Sequence, residues 1–419
     1  MPTVVDTELR ARVQRLLDVP LDWSEAAAVL AQVRARGLAL ARAGGDAEAV
    51  AASELAAALC RAHGSALELA QILDELGLRL TALYRYADAA AAAAEAVALY
   101  RREGLELPRG ILVEALDRLA SWRFLADQEP EHLGELASLA QLLREAEVAQ
   151  RYRDKRIEVL GKLAERTSRA RRFDEAVEYG RELIATLRSA PMSSMTSMTS
   201  SEQRAALAKA LTNVSVDLSQ LERHAEALAA SEEAVSSLRT LAEAALPEHR
   251  LALVRALTNL AEDLDALGRS EETQALRREA LGHRRALVEA TEDPDDRLEL
   301  LPELVSALGD LALEACERGE HDDARSLALE AEDHARALSQ EASEVFAPEL
   351  AWALDVRGVV ERARGDHRAS LALLCEGLAL LLPRAGVDPG EHAELAAELG
   401  ADIRETCAAG ALALPEGLP

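Results

Sequence analysis

Two pairs of side chains in this sequence share one composition and one spacing. Lys209 precedes Asn213 by four residues, and Arg255 precedes Asn259 by four residues. On an α-helix this spacing is about one turn, so each pair lies on one face. An asparagine amide can donate to and accept from a polypeptide backbone, and a cation can hold a carboxylate. The two pairs therefore predict a surface that can hold an extended polypeptide.

Charged side chains extend this candidate surface in both directions along the chain. Lys162 and Arg169 come before the two pairs, and Glu262 and Asp310 come after them. The surface would therefore be basic toward the middle of the chain and acidic toward its C-terminal part. A simpler interpretation is that all of these are exposed helix residues that repeats inherit by duplication, whether or not each copy binds anything.

Internal repeats contain these positions. The segment ALTNVSVDLSQLERHAEALAASEEAV from Ala210 aligns with ALTNLAEDLDALGRSEETQALRREAL from Ala256, at an offset of 46 residues. Further copies begin at Val33, Leu73, Leu160, Leu308 and Leu354. Each copy has apolar residues at three- and four-residue spacing on both sides of a turn signal, which predicts two helices joined by a tight turn.

Small residues recur at fixed places in the copies, where they would let two helices approach closely. One place lies inside the apolar stripe of the first helix, and another lies where the second helix opens. The second place is occupied by Ala49, Ala89, Ala176, Ala227, Thr273, Ala324 and Ser370.

This combination resembles the tetratricopeptide repeat, over roughly Val29 to Leu382. Spacings of 46 to 51 residues in the C-terminal half exceed the minimal unit of about 34, as in the long-period bacterial and kinesin-light-chain-like type. The 87-residue interval between Ala89 and Ala176 has room for one poorly matching copy. The resemblance implies an all-α, right-handed superhelical solenoid of about seven or eight helix-turn-helix repeats with capping helices.

In that family the first helices line a concave groove in which asparagines and cations grip an extended segment. The resemblance thus implies a peptide- or partner-binding role for eight residues. They are Lys162, Arg169, Lys209, Asn213, Arg255, Asn259, Glu262 and Asp310.

The predicted organisation has five parts. Residues 1–28 would form an N-terminal cap, 29–188 and 202–382 two sets of repeats, and 383–419 a C-terminal capping helix and tail. Residues 189–201, rich in Ser, Thr and Met, would be a flexible loop. The copy at Leu354 departs from the pattern, because Arg357 and Glu361 stand where other copies have stripe leucines. We expect an irregular register or a capping repeat there.

Composition supports the all-α prediction. Hydrophobic residues make up 49% of the 419 residues and aromatic residues only 3%, so the apolar content is mostly Ala and Leu, which favour helices. The four cysteines form no CxxC pair, and we interpret them as small core residues. The first residues do not resemble a secretion signal, and no apolar stretch is long enough to span a membrane. We expect a cytoplasmic protein.

Charge argues against binding to nucleic acid, whose phosphates require a basic surface. The formal net charge is −27. Residues 144–172 carry ten basic and five acidic side chains, whereas residues 292–419 carry ten basic and 29 acidic. This asymmetry would allow chains to associate through a basic middle and an acidic C-terminal region. Solubility is the simpler explanation of charged helix faces.

Motifs for catalysis are missing from the sequence: there is no GxSxG, GxxxxGK[ST], HExxH or GxGxxG after a strand. We therefore expect no catalytic residue, metal or cofactor. His224, His321 and His367 occupy the slot that holds Tyr86 and Phe173 in other copies, so we interpret them as packing residues of the turn.

Two functional hypotheses remain. The first is a non-catalytic scaffold or adaptor that binds a protein or peptide in its groove. The alternative is a regulatory or sensing subunit of a bacterial effector complex, with a protease or a nucleotide-dependent defence system as the effector. A fused DNA-binding module is disfavoured, because the residues before the first copy are too few and too acidic.

Overall fold

The computed structural model describes residues 7–18, 23–102, 108–149, 151–189, 199–242, 247–385 and 392–415. These residues form α-helices and the turns between them, and none of them lies in a β-strand. The predicted all-α class is confirmed. No helix in these ranges combines the length and the apolar character that a membrane span needs.

The chain divides into two compact units, residues 1–199 and 200–419. The helices of the first unit are α1 (Thr7–Asp18), α2 (Trp23–Arg42), α3 (Asp46–His63), α4 (Ala66–Ala82), α5 (Tyr86–Arg102), α6 (Arg109–Leu125), α7 (Glu129–Leu142), α8 (Ala146–Ala149), α9 (Arg153–Arg169) and α10 (Phe173–Arg188). Those of the second unit are α11 (Ser200–Gln220), α12 (His224–Ala242), α13 (Pro247–Ala266), α14 (Ser270–Ala290), α15 (Pro294–Glu317), α16 (His321–Glu341), α17 (Ser343–Ala363), α18 (His367–Ala385) and α19 (Ala393–Gly410).

Eight helix hairpins make up most of both units. In the first unit they are α2–α3, α4–α5, α6–α7 and α9–α10, and in the second α11–α12, α13–α14, α15–α16 and α17–α18. The hairpin α6–α7 is the poorly matching copy that the 87-residue interval predicted. The resemblance to tetratricopeptide-type repeats is thus confirmed as to architecture. Of the predicted loop 189–201, residues 190–198 lie outside the described residues, and α11 already begins at Ser200.

One turn geometry closes all eight hairpins. A residue with positive φ follows the end of the first helix, and the N–H of the next residue donates to a carbonyl five residues before it, as Arg223 N does to Leu218 O at 2.9 Å. This is the Schellman motif, which satisfies the last carbonyls of a helix and favours glycine at the left-handed position. That position holds Gly44, Tyr84, Asp127, Arg171, Glu222, Gly268, Gly319 and Gly365.

Small residues at the opening of seven of the eight second helices fill the contact between the two helices of a hairpin, whereas α7 has the buried His132 at this place. Ala49, Ala89, Ala176, Ala227 and Ala324 have no exposed surface. Thr273 and Ser370 occupy the same place in two other hairpins and are also buried. Because no longer side chain separates the backbones, these seven hairpins bury their apolar stripes and leave their polar faces to solvent.

The hairpin α17–α18 keeps the regular turn although two charged residues replace stripe leucines. Glu361 is buried and Arg357 is partly buried, and the two side chains bond to each other at 3.0 Å. Arg357 also reaches Glu332 on α16 at 2.7 Å, and Glu361 accepts from Arg325 at 2.9 Å. Buried charges are tolerated when they are paired in this way. The expected irregular register is therefore not needed: a buried ion-pair network substitutes for the leucine contacts.

The last helix, α19, packs against α17 and α18 through Leu399, Ile403 and Cys407. Three carboxylates, Asp355, Glu398 and Asp402, lie on two of the helices that form this contact. The negative charges of Asp402 and Glu398 on α19 repel the carboxylate of Asp355 on α17. The Oδ1 atom of Asp355 is buried without a hydrogen-bond partner. Burial, followed by these two carboxylates, raises the pKa of Asp355 to about 7, against a smaller opposing effect of Arg362.

The left-handed turn position yields a first prediction. Glu222 has a φ of 58°, a conformation that costs a residue with a Cβ about 1 kcal/mol or more. We expect Glu222→Gly to raise the free energy of unfolding by roughly 0.5–1 kcal/mol, measured by urea denaturation. Glu222→Ala removes the same carboxylate but keeps the Cβ, so it should bring no such gain. Equal stabilisation by both variants would contradict the explanation.

Asp355 yields a second prediction, on pH dependence. Because its pKa is raised in the folded state, the native chain binds a proton that the unfolded chain releases between about pH 4 and pH 7. This group therefore stabilises the fold less as pH rises through that window. Asp355→Asn should become increasingly more stable than the wild type from pH 4 to pH 7, by at most ~4 kcal/mol. A stability difference that stays constant across this range would contradict the assignment.

Candidate functional site

Two of the predicted binding residues belong to the first unit, where they are paired with glutamates of their own helix. On α9, the Lys162 ammonium lies 2.5 Å from Glu158, and the Arg169 guanidinium lies 2.6 Å from Glu165. Both cations are exposed. Exposed pairs at this spacing are weak, about 0.3–0.5 kcal/mol, but they offset the positive charge that the sequence predicted for this face.

Four further cations of the basic stretch 144–172 pair with carboxylates that lie outside the stretch. Arg144 and Arg156 both bond Glu182, at 2.5 and 2.8 Å. Lys155 bonds Asp117 at 2.9 Å, and Arg166 bonds Glu129 at 2.7 Å. Several of these carboxylates come from outside the stretch, so the local charge is much closer to neutral than the count of basic residues indicates.

The two cation–amide pairs lie in the second unit, on helices that contact each other. Lys209 and Asn213 are on α11, and Arg255 and Asn259 are on α13. Asn259 is half-buried and the other three are exposed. Within the described ranges, none of the four has an ion-pair or hydrogen-bond partner. These side chains are therefore available to a ligand, in contrast to Lys162 and Arg169.

A buried carboxylate holds the helices that carry the two pairs. Asp263 on α13 is only 2% exposed. It accepts hydrogen bonds from Ser219 Oγ on α11 at 2.5 Å and from Ser231 Oγ on α12 at 3.0 Å, and His224 Nδ1 lies 3.8 Å away. Hydrogen bonds to a charged acceptor are stronger than neutral ones. Asp263 thereby ties α11, α12 and α13 together.

A groove of about 580 Å³ opens beside the second pair, between α13, α14 and α15. Two of the predicted residues, Glu262 and Asp310, line it together. Glu262 follows Asn259 by three residues on α13, so the groove continues the face that carries Arg255 and Asn259. The remaining lining residues are Thr258, Arg277, Ala280, Leu281, Arg284, Glu303, Ser306, Ala307, Leu311, Leu313, Glu314 and Glu317.

The arginines of this groove already have carboxylate partners. Arg277 pairs with Asp265 at 2.5 Å and with Glu314, and Arg284 pairs with Glu303. Sequence reasoning missed both arginines because it placed the binding residues on the first helix of each hairpin, whereas α14 is the second helix of the hairpin α13–α14. Their seven-residue spacing, which puts them on one face of α14, was the available signal.

Three carboxylates of the groove remain without an ion-pair partner among the described residues: Glu262, Asp310 and Glu317. Asp310 receives only a long hydrogen bond of 3.5 Å from Ser306 Oγ. Partial desolvation by the neighbouring side chains raises the pKa of Asp310, while Arg277 acts in the opposite direction. The groove thus has an apolar floor, from Ala280, Leu281 and their neighbours, and a net negative wall.

Histidines do not form a metal site in the part of the chain that the structure describes, where no group of three or more His, Cys, Asp or Glu side chains is arranged to hold a metal ion. His224, His321 and His367 are the first residues of α12, α16 and α18, and Tyr86 and Phe173 are the first residues of α5 and α10. All five thus stand at the same point of the hairpin.

No family model and no curated protein matches the sequence. Solved structures do. BtubC (BKLC) from P. vanneervenii is 16% identical over 66% of this chain and 96% of its own, with a TM-score of 0.39. A tetratricopeptide repeat protein from Parabacteroides merdae is 14% identical over 80% and 98%, with a TM-score of 0.36. Aspartyl phosphate phosphatase F from Bacillus subtilis is 13% identical over 95% and 98%, with a TM-score of 0.43. Similarity in this range identifies neither a family nor a partner.

The buried carboxylate Asp263 yields a third prediction. Asp263→Ala removes the shared acceptor of two serine hydroxyls and should lower the free energy of unfolding by roughly 1–3 kcal/mol. Asp263→Asn keeps one acceptor oxygen and should lower the free energy of unfolding by less than Asp263→Ala does. Urea denaturation of both variants at neutral pH measures this order, and an unchanged midpoint for Asp263→Ala would contradict it.

Proposed function

We propose that the chain is a non-catalytic protein-interaction scaffold that binds an extended peptide segment of a partner protein along α11 and α13 and into the adjoining groove. The observation that carries this proposal is the groove of about 580 Å³ that continues the face of Arg255 and Asn259. A groove of this size, next to exposed polar side chains without partners, is a usual place for ligand binding.

Each cation–amide pair has a distinct task in this proposal. The amides of Asn213 and Asn259 donate to and accept from the peptide backbone, independently of its sequence. Lys209 and Arg255 hold carboxylates of the same peptide, and arginine can do so with two parallel hydrogen bonds. Because Asp263 ties α11 and α13 together, binding would require little rearrangement of the helices.

Rigid display of the pairs also bears on affinity. The four side chains make no ion pair with the described residues, so a ligand does not have to displace an internal partner. Desolvation and the ordering of long side chains still oppose binding. We therefore expect moderate affinity, with the amides supplying register and the cations supplying a preference for acidic groups.

The fourth prediction tests this proposal with peptides selected on the purified full-length chain from a library of random linear peptides. The double variant Lys209→Glu, Arg255→Glu should bind an enriched peptide with an affinity at least about tenfold lower than that of the wild type, measured by fluorescence anisotropy. Arg368→Glu is the control, because Arg368 is an exposed cation on α18 without a partner in the described ranges. The affinity of the Arg368→Glu variant for the peptide should stay within about twofold of that of the wild type.

Two results would contradict the proposal. One is a selection in which no peptide is enriched over an unrelated protein. The other is an enriched peptide that binds the Lys209→Glu, Arg255→Glu variant as tightly as the wild type. Circular dichroism of each variant verifies that the helices are retained, which excludes loss of folding as the cause of weaker binding.

A further inference from the structure

We propose that the groove between α13, α14 and α15 binds a basic side chain, arginine or lysine, of the bound peptide. This inference rests on the proposed function and adds the chemical class of the residue that enters this groove. It reverses a simple expectation from the two cation–amide pairs, which by themselves would select acidic peptides.

The first argument is the balance of charge within the groove. Its lining contains the carboxylates of Glu262, Glu303, Asp310, Glu314 and Glu317 but only two cations. Both cations are engaged, Arg277 by Asp265 and Glu314 and Arg284 by Glu303. The charge that a ligand meets is therefore that of Glu262, Asp310 and Glu317, and it attracts a cation.

The second argument is the placement of these carboxylates on facing elements. Glu262 lies on α13, whereas Asp310 and Glu317 lie two turns apart on α15. A guanidinium has five N–H donors in a planar fork and can bond carboxylates on more than one side. A single cation entering between the two helices can thus satisfy groups that have no internal partner.

The third argument is the apolar floor. Ala280 and Leu281 on α14, with Ala307 and Leu311 on α15, line the groove below its carboxylates. The methylene groups of arginine or lysine can pack on such a floor while the charged head reaches the rim. An acidic or purely apolar side chain would gain one of these two contacts at most.

The state of Asp310 agrees with a cationic ligand. Although Asp310 is exposed by surface area, the neighbouring side chains partly desolvate its carboxylate and raise its pKa against the opposing effect of Arg277. A bound cation favours the ionised form and would lower this pKa. By linkage, a peptide with a basic residue should bind more tightly as pH rises through the titration of Asp310.

A matched pair of charge-removing variants tests the inference. The groove variant is Glu262→Gln, Asp310→Asn, Glu317→Gln. The control variant is Glu289→Gln, Glu341→Gln, Glu394→Gln, which removes three exposed carboxylates outside the groove. Both change the net charge equally, so a general electrostatic effect weakens binding of a basic peptide to the same extent in both.

The probe is a fluorescein-labelled peptide enriched by selection on the full-length chain. We expect it to contain arginine or lysine, and we expect its affinity to fall at least about tenfold for the groove variant and less than about twofold for the control. Replacing the basic residue by citrulline or norleucine should weaken wild-type binding to a similar degree. That replacement should cause no further loss in the groove variant, as in a double-mutant cycle.

Failure of this inference is distinguishable from failure of the proposed function. If enriched peptides depend on Lys209 and Arg255 but contain no basic residue, or bind the groove variant and the wild type equally, the scaffold function stands and the basic specificity is wrong. If nothing is enriched, both proposals are wrong.

Discussion

Close approach of two helices within each hairpin is the constraint on which the rest of the structure depends. It requires a buried residue that packs closely where the second helix opens, which is Ala, Ser or Thr in seven hairpins and His132 in α6–α7. It also requires a connection that reverses the chain within a few residues. Ala227 and Ala324 meet the first requirement with no exposed surface, and the Schellman turns meet the second. Once these two conditions hold, the apolar stripes are buried within and between hairpins, and the polar faces remain available for charge pairing or for ligands.

Charge pairing on those faces explains why segment-wise counts of charge are a poor guide to the surface. Basic residues 144–172 find carboxylates on neighbouring helices, such as Glu182 and Glu129. The same process operates in the groove, where Arg277 and Arg284 are neutralised by adjacent glutamates and by Asp265. What distinguishes one face from another is the small set of charges left without a partner. Lys209 and Arg255 belong to that set, as do Glu262 and Asp310.

Sequence reasoning predicts the fold well because the fold depends on local, repeated features. Small residues at fixed places, apolar stripes and a turn signal recur in each copy, so even the poorly matching hairpin α6–α7 is found by its spacing. Sequence reasoning is less successful where a charged side chain is paired with residues that are distant in the chain. Arg357 and Glu361 suggest a disrupted copy until Glu332 and Arg325 are seen beside them. No spacing rule predicts these partners, because they lie on another hairpin.

The candidate site is predictable to the same extent and for the same reason. Glu262 and Asp310 are recognisable from the register of the repeats, since they occupy outward positions on first helices. The residues that α14 contributes to the groove are not recognisable in this way, because no pattern within α14 shows that a groove opens between it and α15. Arg277 and Arg284 then have two effects at once. Their side chains line the opening between the helices. They also pair with Glu314 and Glu303, so the net charge of the groove comes from the carboxylates that have no arginine partner. The net charge of this groove is thus a property of the pairing pattern, and a substitution at either arginine would change it by releasing Glu314 or Glu303.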